Sequence, residues 1–91
     1  MRKELASKHI ELFKKIRLLS NRRRFAIIEL VQREPLNITS LSKRLNLAYT
    51  KCVDYVRLLE KGGMVAKKRN GKEVLVNANV KLRENAIDFT K

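Results

Sequence analysis

At 91 residues the chain is one small domain with room for only a modest core. It carries 22 lysines and arginines against nine acidic residues, a net charge of +13, which suits an anionic partner such as nucleic acid or a membrane surface. No apolar run nears the ~20 residues that span a bilayer; the charged start Met1-Arg2-Lys3 is no signal segment, and a lone cysteine makes no internal disulfide, which fits a reducing, cytoplasmic setting.

Residues 2–19 read as a first helix. Leu5, Leu12, Phe13, Ile16 and Leu19 recur at helical spacing and form one apolar stripe. His9, near the middle of that stripe, reads as a part-buried core or interface histidine. A metal set would need partners that one histidine and one cysteine do not supply; a pH switch stays open.

Ser20-Asn21 offers an N-cap for a second helix that runs to about Gln32. Phe25, Ile27, Ile28, Leu30 and Val31 cover more than half its circumference, so it is expected at the centre of the core. Its first turn is Arg22-Arg23-Arg24, three cations that oppose the helix dipole at about 0.3–1 kcal/mol each when exposed. Two readings stand: a solvated end with an Arg–Glu pair, or a phosphate clamp. Glu34-Pro35 ends this helix, because proline lacks a donor and disfavours helix before it.

After an extended link, Leu36-Asn37, Asn37 can cap a short third helix, Ile38 to Leu45. Asn46-Leu47-Ala48 is a tight turn into a fourth helix that ends at Gly62-Gly63. At about 100° per residue, Tyr49, Cys52, Val56 and Leu59 share a face that can be buried. Thr50, Lys51, Asp54, Arg57 and Lys61 share the opposite face, with groups long enough to reach base edges or phosphates. Short helix, tight turn and longer helix with a polar outer face make a helix-turn-helix arrangement. Cys52 reads as a small buried apolar residue, and a redox role would require it exposed.

Met64 to Arg69 and Lys72 to Asn77 are β-prone runs around Asn70-Gly71, a strong hairpin signal. Lys67, Lys68, Arg69 and Lys72 make the tip the densest basic segment. It is either an ordinary solvated turn or a wing along a phosphate backbone. From Asn79 the pattern returns to helix, with Leu82, Ala86 and Phe89 on one face and Val80 and Ile87 on the other. The expectation is that the two terminal helices form a homodimer interface through Leu5, His9, Leu12, Ile16, Leu82, Ala86 and Phe89. The alternative is a tail that closes the chain's own core.

The expected layout is therefore a single domain over 1–91, mainly α with a β-hairpin (α+β): an N-terminal helix (1–19), a helical core (20–62), a hairpin (63–78) and a C-terminal helix (79–91). This order resembles the winged helix-turn-helix family, and most of all its small dimeric ArsR-type regulators and their archaeal relatives. The likeness spans roughly 15–80. It rests on Leu18-Leu19-Ser20-Asn21 with Arg24 and Ile27-Ile28, on Ile38-Thr39-Ser40-Leu41-Ser42, and on Leu45-Asn46-Leu47-Ala48. It continues through Val56-Arg57-Leu58-Leu59-Glu60-Lys61-Gly62-Gly63-Met64-Val65 to the Asn70-Gly71 wing.

The resemblance implies a homodimer on double-stranded DNA, with one recognition helix per subunit in the major groove. It places Ala48, Tyr49, Thr50, Lys51, Asp54, Tyr55 and Arg57 at the DNA, and Lys67, Lys68, Arg69, Asn70 and Lys72 on the wing. Arg22, Arg23 and Lys43 are further candidate phosphate contacts. Three departures stand out. Metal-sensing members carry a cysteine pair on the recognition helix, against Cys52 alone here. Asn46 stands where glycine is common. Asp54 is an acid where the family has a basic or polar residue; it either accepts from a cytosine amino group or orients Lys51 or Arg57.

The leading functional expectation is a transcription regulator associated with the nucleoid. The runner-up is an architectural DNA binder of low specificity; a protein-binding winged helix is a third. No cofactor motif, effector site or catalytic constellation is visible: there is no Gly-rich phosphate loop and no nucleophile beside a base.

Overall fold

Four helices precede two β-hairpins in the computed structural model, which describes residues 3–89, with side chains from residue 9 onward. The order is α1 (Lys3–Leu19), α2 (Arg22–Arg33), α3 (Ile38–Leu45), α4 (Tyr49–Lys61), β1 (Val65–Asn70), β2 (Glu73–Ala78), β3 (Val80–Leu82) and β4 (Ile87–Phe89). As its apolar circumference predicts, α2 is the hub: it packs against α1, α3, α4, β2 and β3. Ile27, Ile28 and Val31 from α2 meet Leu41, Leu47, Cys52, Val56, Leu59, Met64, Val65, Val76 and Val80 in one core. Each large aliphatic side chain buried there contributes about 1.5–3 kcal/mol over an exposed one.

The helix ends follow local chemistry. The Asn21 side chain accepts from the Arg23 and Arg24 amides at 2.9 and 3.1 Å, and that of Asn37 from the Ser40 amide at 2.8 Å. Both helices of the helix-turn-helix close with paired Schellman bonds. At the end of α3, the Leu47 amide donates to the Ser42 carbonyl (2.9 Å) and the Asn46 amide to that of Lys43 (3.3 Å). At the end of α4, the Met64 amide donates to the Leu59 carbonyl (2.8 Å) and the Gly63 amide to that of Glu60 (3.0 Å). The left-handed residue is Asn46 (φ 54°) in the first and Gly63 (φ 78°) in the second. Asparagine tolerates this region better than other side chains, which explains how it stands in for glycine.

The wing is an antiparallel pair running from Val65↔Ala78 to Asn70↔Glu73. The turn is thus Gly71-Lys72, one residue beyond the expected Asn70-Gly71 tip. Gly71 alone takes a positive φ (66°), as at the first central position of a II′ turn, so Asn70 stays in the ladder. The wing base is tied to the link before α3 by two backbone bonds between Leu36 and Val76 (3.2 and 2.8 Å).

The expected C-terminal helix is not formed. Val80–Leu82 and Ile87–Phe89 instead pair as a second antiparallel hairpin, with Val80 opposite Phe89 and Leu82 opposite Ile87. Apolar residues on two opposite faces of an imagined helix are what a strand alternation produces when read with the wrong period. The hairpin is held by Arg83 on Asp88 (2.8 Å) and by the Leu82 amide donating to Gln32 Oε1 at the end of α2 (2.7 Å). Leu82 and Phe89, expected at a dimer interface, pack on the chain's own core, and Ala86 is exposed in the connection.

Helix α1 is the long helix that the stripe predicts, with a departure at its centre. His9 has non-helical torsions (φ −120°, ψ 17°) and is exposed in the single chain, so of the two expected places for it the core is not the one it takes. The stripe itself is largely uncovered: Leu12 is 41% exposed, Phe13 53% and Ile16 50%, while Leu19 is buried. The side chain of Leu5 lies outside the described residues. The end of α1 is seated closely on α4, where the Leu18 side chain occupies the space a Cβ on Gly62 would need.

Candidate nucleic-acid interface

The turn Asn46-Leu47-Ala48 sets α4 against α3, with Leu47 buried as its anchor. Ala48 is the N-cap of α4 and makes no side-chain capping bond. The first amides of the helix therefore point outward with no side-chain acceptor, an arrangement that favours a phosphate. Thr50, Lys51, Asp54 and Arg57 are exposed, and Cys52, Val56 and Leu59 face the core, as the 3.6-residue period requires. Tyr49 departs from that pattern. At 55% exposure it stands clear of the core, at the first residue of α4 where the helix begins.

The exposed face has two unlike flanks. On one, Tyr55 is half-buried between two cations: the Lys51 ammonium is 5.7 Å and the Arg24 guanidinium 5.8 Å from its ring centroid. Such contacts contribute about 0.5–1 kcal/mol where partly exposed. Arg24 is further held by its Nε donating to the Leu18 carbonyl at 2.7 Å, a cation on the last turn of α1, where the dipole favours it. Arg24 therefore joins α1, α2 and α4, and among the described residues no Arg–Glu pair forms at the start of α2. Arg22 and Arg23, beside it, are exposed.

On the other flank Lys67 of β1 reaches Glu60 of α4 (3.4 Å), docking the wing root to the helix. Lys68, Arg69, Asn70 and Lys72 are exposed further along the wing. Glu73, the wing's acid, accepts from Asn37 Nδ2 at 3.0 Å, and no cation of the tip lies within 4 Å of it. Asp54 lies in the middle of the face and pairs with Arg57 at 3.5 Å. Exposed pairs of this kind contribute little to stability, so the pairing bears on where the guanidinium points. Lys43 of α3 is exposed, whereas its neighbour Arg44 pairs with Glu34 (3.6 Å).

Cys52 is buried, with its sulfur 3.9 Å from the Ile38 carbonyl oxygen. Burial pushes its thiol pKa up, so it stays protonated at neutral pH. Sequence reasoning missed the tie of Arg24 to Leu18 and the bridge from Glu60 to Lys67. For the second, the signal was an acid and a base of opposite sign on either side of the double-glycine stop, where the chain must double back.

No family model matches the sequence, and no curated protein is similar enough to count as a relative. Solved structures do match. NolR from Sinorhizobium fredii superposes with a TM-score of 0.78 at 13% identity, over 86% of this chain and 78% of that one. Reduced HlyU from Vibrio cholerae gives 0.75 at 19% identity, over 85% and 81%. The homodimeric winged helix-turn-helix DNA-binding domain of Mb0332 from Mycobacterium bovis gives 0.74 at 18% identity, over 86% and 72%. The chain thus has the winged helix-turn-helix fold found in ArsR-type transcription regulators, and at these identities the likeness is one of fold.

Proposed function

We propose that the protein is a double-stranded DNA-binding transcription regulator that acts as a homodimer, with α4 in the major groove and the basic wing on the adjoining backbone. The observation that carries this reading is the exposed face of α4, flanked by the arginine-rich start of α2 and by a wing whose tip cations, Lys68, Arg69 and Lys72, have no carboxylate within 4 Å among the described residues. Lys51, Thr50, Arg57 and Tyr49 are the side chains for base edges, and Ala48 allows close approach. Lys68, Arg69, Asn70 and Lys72 serve the phosphates, with Arg22, Arg23 and Lys43 as outer contacts; Lys67 acts mainly as the strut to Glu60.

Dimerisation is proposed through α1. Its uncovered Leu12, Phe13 and Ile16 form a contiguous apolar stripe on a helix docked to the body by its last turn. The Mycobacterium bovis domain of the same fold is homodimeric. A two-fold dimer would place two recognition helices about 34 Å apart on a pseudo-palindromic site.

One observation favours the architectural reading as runner-up. Arg57, the best base-reading group on α4, is paired with Asp54, which leaves fewer free donors on the face. Selection of bound sites from random duplex DNA separates the two. A regulator prefers its best site over bulk DNA by roughly 10³ or more, and a ratio below about tenfold refutes the regulator. Lys68→Ala with Arg69→Ala should weaken binding evenly across sequences and flatten the log–log salt slope by up to about two. An unaltered slope would take the wing off the DNA.

A further inference from the structure

A cleft of ≈ 610 Å³ opens where the last turns of α1, the start of α2 and the end of α4 meet. Five cations line it: Lys14, Lys15, Arg17, Arg24 and Lys61. The single carboxylate among its lining residues, Glu11, is 3.9 Å from Lys14. The other four cations have no carboxylate within 4 Å among the described residues. Lys15 and Arg24 are half-buried, Lys15 beside the Phe89 ring and Arg24 bonded to the Leu18 carbonyl, so their positions are set by packing. The cleft also has an apolar surface: Leu18, Gly62 and Leu58, the last 43% exposed with no packing role in the core.

Gathering five like charges around a concave surface costs self-repulsion that an anion relieves. A rim of cations over an apolar floor, in the ~300–1,000 Å³ range of small-molecule sites, suits an organic anion more than a bare phosphate. A duplex backbone has no use for such a floor, and the cleft lies at the end of α4 about 18 Å from Tyr49, away from the first turn of the recognition helix.

We propose that this cleft binds a small organic polyanion of about mononucleotide size, its charged groups on Arg17, Lys61 and Arg24 and its flat apolar part on Leu18 and Leu58. The occupant would touch α1, the Arg24 end of α2 and the end of α4 where they meet, and so bear on the angle between the dimer helix and the reading helix.

The test is calorimetric titration with ATP as the probe, on the full chain without DNA, at about 0.15 M salt, where charges beyond ~8 Å are screened. The expected result is saturable binding of one ATP per chain. Arg17→Ala with Lys61→Ala should weaken it by at least about tenfold, and Arg33→Ala with Lys81→Ala, an equal charge loss elsewhere, by less than about twofold. Equal losses in the two pairs, or heat that never saturates, would mean diffuse attraction to a basic protein and overturn the site. Pyrophosphate binding as tightly as ATP would overturn the apolar floor. Because no DNA is present, the result is independent of the DNA-binding reading.

Discussion

α1 and α2 are comparably apolar in sequence, yet they end in opposite environments. α2 spends its apolar residues inside the chain: Ile27 and Ile28 are fully buried at the junction of three helices and the wing base. α1 commits only its last turn, Leu18 and Leu19, and leaves Leu12, Phe13 and Ile16 in solvent. The difference is angular. The apolar arc of α2 is wide enough to be packed from several sides, whereas that of α1 is one stripe, turned away from the face that docks on α4. That uncovered stripe, in a molecule 47 Å long and about half as wide, is the surface on which the proposed dimer rests.

This contrast can be broken most severely at α2. Ile28→Ala should cost about 2–5 kcal/mol in urea unfolding, because the pocket it fills is closed on all sides. Phe13→Ala should cost the isolated subunit much less. If the two losses in a monomeric background were equal, the exposure of α1 would be wrong. Charging the stripe tests its purpose: Phe13→Glu with Ile16→Glu should raise the dimer dissociation constant by more than about tenfold while the core stays folded, read by sedimentation. An unchanged mass would move the dimer contact elsewhere.

Smaller effects sharpen the picture around α3 and α4. Asn46→Ala should destabilise by about 1–2 kcal/mol, since alanine gains nothing locally to offset the left-handed conformation, and Asn46→Gly should be nearly neutral. Equal stability of the two would mean that the turn relaxes. The smallest effect is the pH dependence from Cys52. Burial raises its folded pKa above that of the unfolded thiol, so its contribution is complete below the unfolded value, ~8.5, and fades as pH rises toward the folded one. Cys52→Ala should remove that alkaline decline, and native Cys52 should resist alkylation at pH 7. Rapid labelling would contradict its burial.

Much of the fold was legible because each signal was local. Asn21 and Asn37 read as caps and act as caps; Gly62-Gly63 reads as a stop and forms one. The 3.6-residue period sorted Cys52, Val56 and Leu59 from Thr50, Asp54 and Arg57 correctly. The errors fell where two local patterns fit equally well. Val80-Lys81-Leu82 and Ile87-Asp88-Phe89 alternate over so few residues that helix and strand periods both match, and the pairing across the connection decides. At the wing tip, Asn70 and Gly71 were both suited to a turn, but ladder pairing of Asn70 with Glu73 left only Gly71 at positive φ. Of the candidate site, the exposed face of α4 was readable from periodicity. Its two flanks were not, because Arg24 to Tyr55 and Glu60 to Lys67 join residues from different elements.

By itself the sequence determined the elements that depend on neighbours within a few residues: four helices, their caps and stops, one basic hairpin, and a charge excess that calls for an anionic partner. Tertiary structure alone decided which apolar faces are used. It closed the C-terminal segment onto α2 as a hairpin, left the α1 stripe open, and drew cations from three helices around one cleft. Those outcomes depend on distances between residues far apart in the chain, and no local propensity encodes them.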